Sequence, residues 1–335
     1  MSSNVILLAH GNGGELTKQL IEKEFLKNFS NSILDELLDS GIFEAHGKLA
    51  MTTDSYVINP IFFKNGDIGK LSVFGTVNDL CVVGAKPLFL SLGLIIEEGL
   101  DTQDLRKIIK SIAQASQEAN VKIITGDTKV VEKNKGDKIF INTSGIGIIE
   151  NHRDWRNRKI EKGDAVIVSG SIGEHGIYIM LERLKIQTDD EVKSDLANLS
   201  EMVLGVLDKF NEIKFVRDAT RGGVATVLNE ISQKYNVKIE IFEEEVPVKE
   251  WTKNAAEVLG IDPLYSANEG KVVIIVSQNQ AQDLLNYLHQ YPLGKDAKII
   301  GYVNDYDTPR VYLVTRIGTK RILESLKGDI LPRIC

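Results

Sequence analysis

Twice along this chain of 335 residues, β-branched runs alternate with amphipathic helical stretches. That repeated alternation confines the fold to sheets flanked by helices. In the first cycle, residues 48–58, 88–97, 121–125 and 139–149 read as strands. Between them the spacing predicts a helix over 68–83, with Leu71, Phe74, Leu80 and Cys81 at helical intervals. A second is predicted over 102–119, where Leu105, Ile108, Ile109 and Ile112 follow an Asp101/Thr102 start. The polar stretch "HRDWRNRKIEKG", residues 152–163, reads as a linker. The second cycle places strands at 165–169, 237–242, 271–276, 297–303 and 311–315, and helices at 177–184, 196–210, 224–235 and 281–289. The expectation is an α+β (mixed α/β) protein of two domains, each a β-sheet flanked by helices. They divide as 1–155 and 156–321, with a mobile tail over 322–335. No short-period repeat indicates a solenoid.

Composition agrees and excludes several functions. With 43% hydrophobic and 26% charged residues the chain supports two cores. A net charge of −7 and no basic stripe argue against nucleic acid. Apolar runs such as 88–96 are too short to cross a bilayer, and the first ten residues do not read as a signal peptide, so a cytoplasmic location without membrane attachment is expected. Two cysteines, Cys81 and Cys335, make no disulfide framework, which suits a reducing compartment. Cys81 falls on the apolar face of the first helix and reads as core. Cys335 is the last residue, where little packing is available.

Acidic residues at the ends of apolar strands or beside glycine carry the chemistry. "MTTDS" holds Asp54, "GTVNDL" holds Asn78 and Asp79, "ITGDTK" holds Asp127, Thr128 and Lys129, and "RDATRGG" holds Asp218, Arg221, Gly222 and Gly223. Carboxylates on short turns suit Mg²⁺, a hard cation that shares oxygen ligands with nucleotide phosphates. Glycines let backbone N–H groups approach a phosphate, and Arg221 can grip one through two hydrogen bonds. Gly222 and Gly223 precede a helix whose N-terminus favours anions. The loop "HGNGGE", residues 10–15, includes Gly13 and Gly14; it matches neither the Walker nor the dinucleotide pattern, and reads equally as a lid over a nucleotide or as a plain turn. The five histidines, His10, His46, His152, His175 and His289, show no metal-ligand spacing and read as surface or packed residues.

The order TTD, VNDL followed by GAKP, TGDTK, DATRGG and NEG resembles the ATP-binding superfamily of aminoimidazole ribonucleotide synthetase, selenophosphate synthetase and thiamine monophosphate kinase. The opening "LAHGNGGE" and the ending "PRIC" look specifically like its hydrogenase-maturation members, and the likeness runs from about His10 to Cys335. The resemblance implies a homodimer whose first domain binds ATP and Mg²⁺ and mediates dimerisation, and whose second helps close the site. It implies that Cys335 receives a carboxamide from the carbamoyltransferase HypF, that the group is dehydrated with ATP to a thiocyanate, and that cyanide passes through a HypC–HypD complex toward the iron of a [NiFe] hydrogenase. It also assigns roles: Asp54, Asp79, Asp127 and Asp218 as metal and phosphate-side ligands, Asn78 in support, Thr128, Arg221, Gly222, Gly223, Gly13 and Gly14 around the nucleotide, Lys129 on the transferring phosphate or the carboxamide, and Glu269 of "ANEGK" as base. In this chain Ala219 stands where members commonly carry proline, and Asn12 interrupts the N-terminal loop.

The chemistry fits a terminal cysteine. An amide oxygen leaves poorly, so a nitrile forms only after that oxygen is phosphorylated, which calls for phosphate positioning, charge neutralisation and a base. A thiolate is a good acceptor for the carboxamide. From Lys327 the chain spans roughly 26 Å if extended, with Gly328 as a hinge and Pro332 as a stiffener, so Cys335 can enter and leave a narrow site. Two other expectations are set against this one: a small-molecule kinase like thiamine monophosphate kinase, for which Cys335 is dispensable, and a passive scaffold that turns over no nucleotide.

Overall fold

The computed structural model describes residues 5–189, 191–306, 308–326 and 334–335. Its first half is built on four strands, β1 Lys48–Tyr56, β4 Ala85–Glu97, β5 Lys122–Val131 and β6 Ile139–Ile149, in the order β1-β6-β4-β5. A short hairpin, β2 Phe62–Phe63 and β3 Gly66–Asp67, leads from the first strand into the first long helix. β1, β6 and β4 pair antiparallel, whereas β4 and β5 run parallel. A parallel pair needs a crossover, and α4, Thr102–Glu118, supplies it. Asp101 caps α4 by accepting from the Gln103 N–H at 2.6 Å, and the helix buries Leu105, Ile108, Ile109 and Ile112.

The helix preceding it, α3 Ile68–Val82, is buried on nearly every side, and only Lys70 and Asp79 are partly exposed. A helix apolar all round belongs at the centre of a molecule. α3 lies between the first sheet on one side and the second half on the other, where it meets α6, Ser200–Lys209, and β8, Ile213–Asp218. Gly75 makes that closeness possible, because a Cβ there would land on the Tyr56 hydroxyl.

The second half is a seven-stranded sheet in the order β13-β12-β9-β11-β7-β10-β8. Its strands are β7 Ala165–Val168, β8, β9 Val237–Phe242, β10 Val272–Val276, β11 Lys298–Tyr306, β12 Arg310–Val314 and β13 Lys320–Ile322. Every neighbouring pair is antiparallel except β12 with β9. The helices are α5 Glu174–Arg183, α6, α7 Gly223–Tyr235, α8 Glu250–Leu259 and α9 Gln278–Leu288. Near the N-terminus a 3₁₀ turn, Leu8–Gly11, precedes α1 Glu15–Leu20, which continues through a π-helical stretch into α2 Lys27–Phe29. Among the described residues no helix is long and apolar enough to cross a membrane.

Several elements differ from expectation. The strand expected at 121–125 runs on to Val131, so the GDTK residues lie within β5 and not on a turn. The helix expected at 196–210 starts at Ser200, because residues 196–199 are held as a loop against α3. β8, α8 and the helices before residue 30 were not expected. α8 buries little beyond Thr252 and Ala256 and leaves Val258 exposed, so its apolar pattern is thin. The segment read as a linker is anchored: Trp155 is buried, donates to the Val82 carbonyl at 2.9 Å and packs on Phe215. Toward the C-terminus, Leu323 is buried, with its N–H on the Val311 carbonyl at 2.8 Å. Lys327, Gly328 and Pro332 lie outside the described residues.

Candidate active site

Where α3 meets the second sheet, a cavity of about 310 Å³ is lined by Asp54 and Asp79 from the first half, by Asp218, Arg221 and Glu269 from the second, and by Cys335. Strand parity sets the first half of it. Thr52, Asp54 and Tyr56 alternate on β1 toward α3, the Thr52 hydroxyl donates to Asp79 at 2.8 Å, and the Tyr56 hydroxyl lies 3.4 Å from an Asp54 oxygen. Asp79 is one of the two α3 residues not fully buried, and it opens onto the cavity. From the other side, Asp218 ends β8 and Glu269 precedes β10.

The cavity is electrostatically strained. Burial, then repulsion from Asp218 and Asp54, pushes the Asp79 carboxyl up to about 7. Burial carries Asp218 to about 6 and raises Asp54 as well. Glu269 is pushed well above the usual carboxylate range by burial first and then by Asp218, Asp195, Asp54 and Asp79. Its Oε1 is buried with no hydrogen-bond partner among the described residues. Backbone contacts hold it in place: the Glu269 N–H donates to Asp195 at 3.0 Å, its carbonyl accepts from Ala197, and Asp195 is itself paired with the buried Lys271 at 3.0 Å.

Cys335 occupies this cavity. Its Sγ accepts from the Arg221 guanidinium at 3.2 Å, its carbonyl oxygen is 3.3 Å from the Val57 N–H, and the preceding Ile334 is buried in the core. Burial and the nearby Glu269 raise the thiol to about 11, against the pull of Arg221. Arg221, expected on a phosphate, therefore meets the thiol. Gly222 caps α7 and Gly223 opens it, both with positive φ. They also permit close packing, since a Cβ on Gly223 would sit 2.5 Å from the Leu264 carbonyl oxygen.

Other expected site residues are elsewhere within the single chain. Asn78 spends both ends of its amide on the loop before α6, donating to the Ala197 carbonyl at 3.0 Å and accepting from the Leu199 N–H at 2.9 Å. It clasps the two halves together and does not face the cavity. Asp127 pairs with Lys129 at 2.7 Å, which lowers its pKa, and both are exposed on the opposite face of the first sheet from Asp54. The switch of face comes from a β-bulge. Leu90 aligns with Ile123 but Ser91 with Thr125, so the extra residue Ile124 turns Asp127 away from α3. Thr128 lines a separate cavity of about 210 Å³ beside Thr17, whose hydroxyl accepts from the Gly13 N–H at 3.0 Å. Gly13 and Gly14 are exposed there.

Among the described residues no three acidic, histidine or cysteine side chains are close enough to hold a metal ion by themselves. The cavity's chemistry nevertheless fits Mg²⁺, which keeps several waters and shares its shell with phosphate oxygens. Asp54, Asp79 and Asp218 are hard oxygen donors whose pKa values are raised chiefly by burial, a cost to their charged forms that a bound cation offsets. Sequence reasoning missed Thr52, Tyr56 and Asp195, which hydrogen-bond the residues that line the cavity. The period-two face of β1 carried a signal for Thr52 and Tyr56, whereas the loop before α6 carried none.

Two family models cover most of the chain: AIR synthase related protein, N-terminal domain, over residues 38–149, and the C-terminal domain over 161–314. The chain is 43% identical to carbamoyl dehydratase HypE of Escherichia coli K12, over 99% of this chain and all of that one. It also matches the crystal structure of hydrogenase maturation protein HypE in complex with ATP, at a TM-score of 0.94, 42% identity and coverage of 98% and 99%. It matches a chain of the HypE–HypF complex at a TM-score of 0.79, 46% identity and coverage of 92% and 99%. With both domains matched and its relatives spanned almost end to end, the chain belongs to the AIR synthase related family and, within it, to the carbamoyl dehydratase HypE group.

Proposed function

We propose that this enzyme uses MgATP to dehydrate a carboxamide carried on its own Cys335 to a thiocyanate, supplying cyanide for the iron centre of [NiFe] hydrogenases. The observation that carries this reading is the seat of the C-terminal thiol, inside the carboxylate-lined cavity and on Arg221. The carboxamide oxygen attacks the γ-phosphorus of ATP and ADP departs. Two N–H protons are lost as the C–O bond breaks, leaving S–C≡N and a phosphate that retains the amide oxygen. Glu269, which lines the same cavity as Cys335, takes a nitrogen proton in this reading. Mg²⁺, when held by Asp54, Asp79 and Asp218, neutralises phosphate charge. Arg221 steers the sulfur.

The raised thiol pKa favours loading elsewhere. A docked Cys335 is protonated at neutral pH and a poor nucleophile, so the carboxamide is taken up with the tail outside the cavity. The donor is a HypF carbamoyltransferase, in keeping with the complex formed by the relative, and the acceptor is a HypC–HypD complex. Two cysteines without a disulfide suit the cytoplasm.

The working unit is a homodimer. The outer face of the first sheet exposes three large apolar side chains, Leu49, Ile95 and Met51, the last at 73%. A face of this kind suits a second sheet stacked on it. Asp127 and Lys129 stand on that same outer face, so they serve the cavity of the second copy: Asp127 on the nucleotide's metal, Lys129 on the transferring phosphate. Residues 1–155 supply the nucleotide side and 156–321 close over it.

Phosphate release from ATP by the loaded enzyme tests the reading. Wild type is expected to release one phosphate per carboxamide, and Cys335→Ala none above background. Equal release by both would refute it.

A further inference from the structure

We infer that His175 is the latch that holds the tail in its docked position, an inference that rests on the carrier role just proposed for Cys335. His175, read from the sequence as a surface or packed residue, is fully buried at the second position of α5. Its Nε2 lies 2.6 Å from the carbonyl oxygen of Ile334, 159 residues away and adjacent to Cys335. Its Nδ1 lies 2.7 Å from the Ser194 hydroxyl oxygen. A carbonyl can only accept, so Nε2 carries the proton and donates it to Ile334. Burial lowers the histidine pKa and keeps the ring neutral, which leaves Nδ1 to accept from Ser194. The Ser194 oxygen in turn accepts from the Leu196 N–H at 3.0 Å. Each hydrogen has one acceptor, the tautomer is set, and the Phe63 ring, 5.8 Å away edge-on, fixes the plane.

This relay ties the tail to the base. Ser194 adjoins Asp195, which receives the Glu269 N–H, while Asn65 holds both flanks by donating to the Ser194 and Leu196 carbonyls at 2.9 and 3.0 Å. Seating Ile334 on His175 therefore brings Cys335 into register with the loop that positions Glu269. His175 touches no reacting atom. It is a positioning residue for the dehydration step, with no part in loading.

The test follows two readouts in wild type, His175→Leu, His175→Gln and Ser194→Ala. One is the rate of Cys335 alkylation by iodoacetamide without any partner, which is specific because Cys81 is fully buried. The other is MgATP-dependent loss of water from the carboxamide, measured in a single turnover. Loss of a buried hydrogen bond to the tail predicts His175→Leu alkylation about tenfold faster and dehydration about tenfold slower, with carboxamide uptake at least as fast as in wild type. Gln places an amide N–H where Nε2 stood and restores both rates to within about threefold. Ser194→Ala, which leaves the ring in place, shifts both rates in the direction of His175→Leu, and it carries the test where the leucine variant does not fold. Unchanged rates in the leucine variant, or equal defects in the leucine and glutamine variants, overturn the latch. If the wild type loses no water with MgATP while the alkylation contrast persists, the latch stands and the dehydratase reading falls.

Discussion

Asp79 sits where the electrostatics of the cavity are sharpest. Its carboxyl is raised to about 7 and that of Asp218 to about 6, against an ordinary value of 3.8. A carboxylate raised on folding binds its proton more tightly in the native state than in the unfolded chain. Its contribution to stability is complete below the ordinary value and is lost as pH rises through the folded one. The Mg²⁺-free protein is therefore expected to melt at falling temperature from pH 5 to pH 8. Asp79→Asn should flatten that slope, gain on the order of 1 kcal/mol at pH 8, and lose about a hundredfold or more in MgATP turnover. A wild-type melting profile that stays flat over this range would contradict the assignment. Asp79 was legible in the sequence because "VNDL" interrupts an otherwise apolar helix. Its neighbour Asn78 was not, since an amide that clasps a loop and one that faces a ligand look alike in sequence.

Among the elements, those with strong internal periodicity were readable. α4 shows its buried stripe and its cap directly, and α3 its apolar content. β8 and α8 were not readable: β8 carries Lys214, Arg217 and Asp218 among its six residues, which breaks up its apolar run, and α8 has too few buried positions to make a stripe. The loop before α6 carries no pattern, yet it anchors Glu269, and its closeness depends on Gly270. A Cβ there would land on the Asp195 carbonyl. Gly270→Ala should lower stability by about 1–3 kcal/mol, read from the denaturant midpoint, and slow dehydration by displacing Glu269. A variant with an unchanged midpoint would show that the loop gives way freely and does not fix the base.

At the scale of the whole molecule, the two-domain plan was visible in the repeated alternation of strands and helices, but the division of the site between sheet faces was not. The bulge at Ile124 decides that Asp127 points away from Asp54, and a bulge leaves no mark in residue type. If two copies share each site, a mixture of Asp79→Asn and Asp127→Asn proteins, each inactive alone, regains about a quarter of wild-type turnover. Half of the randomly paired dimers are then mixed, and each of these has one intact site. No recovery would contradict a site shared between copies. The central claim concerns the last residue, and the most direct test is the mass of the C-terminal peptide after incubation with a HypF carbamoyltransferase and its carbamoyl donor, before and after MgATP. The account predicts one carboxamide added to Cys335 and then the loss of one water that requires ATP; an unmodified Cys335 beside an active partner would contradict it.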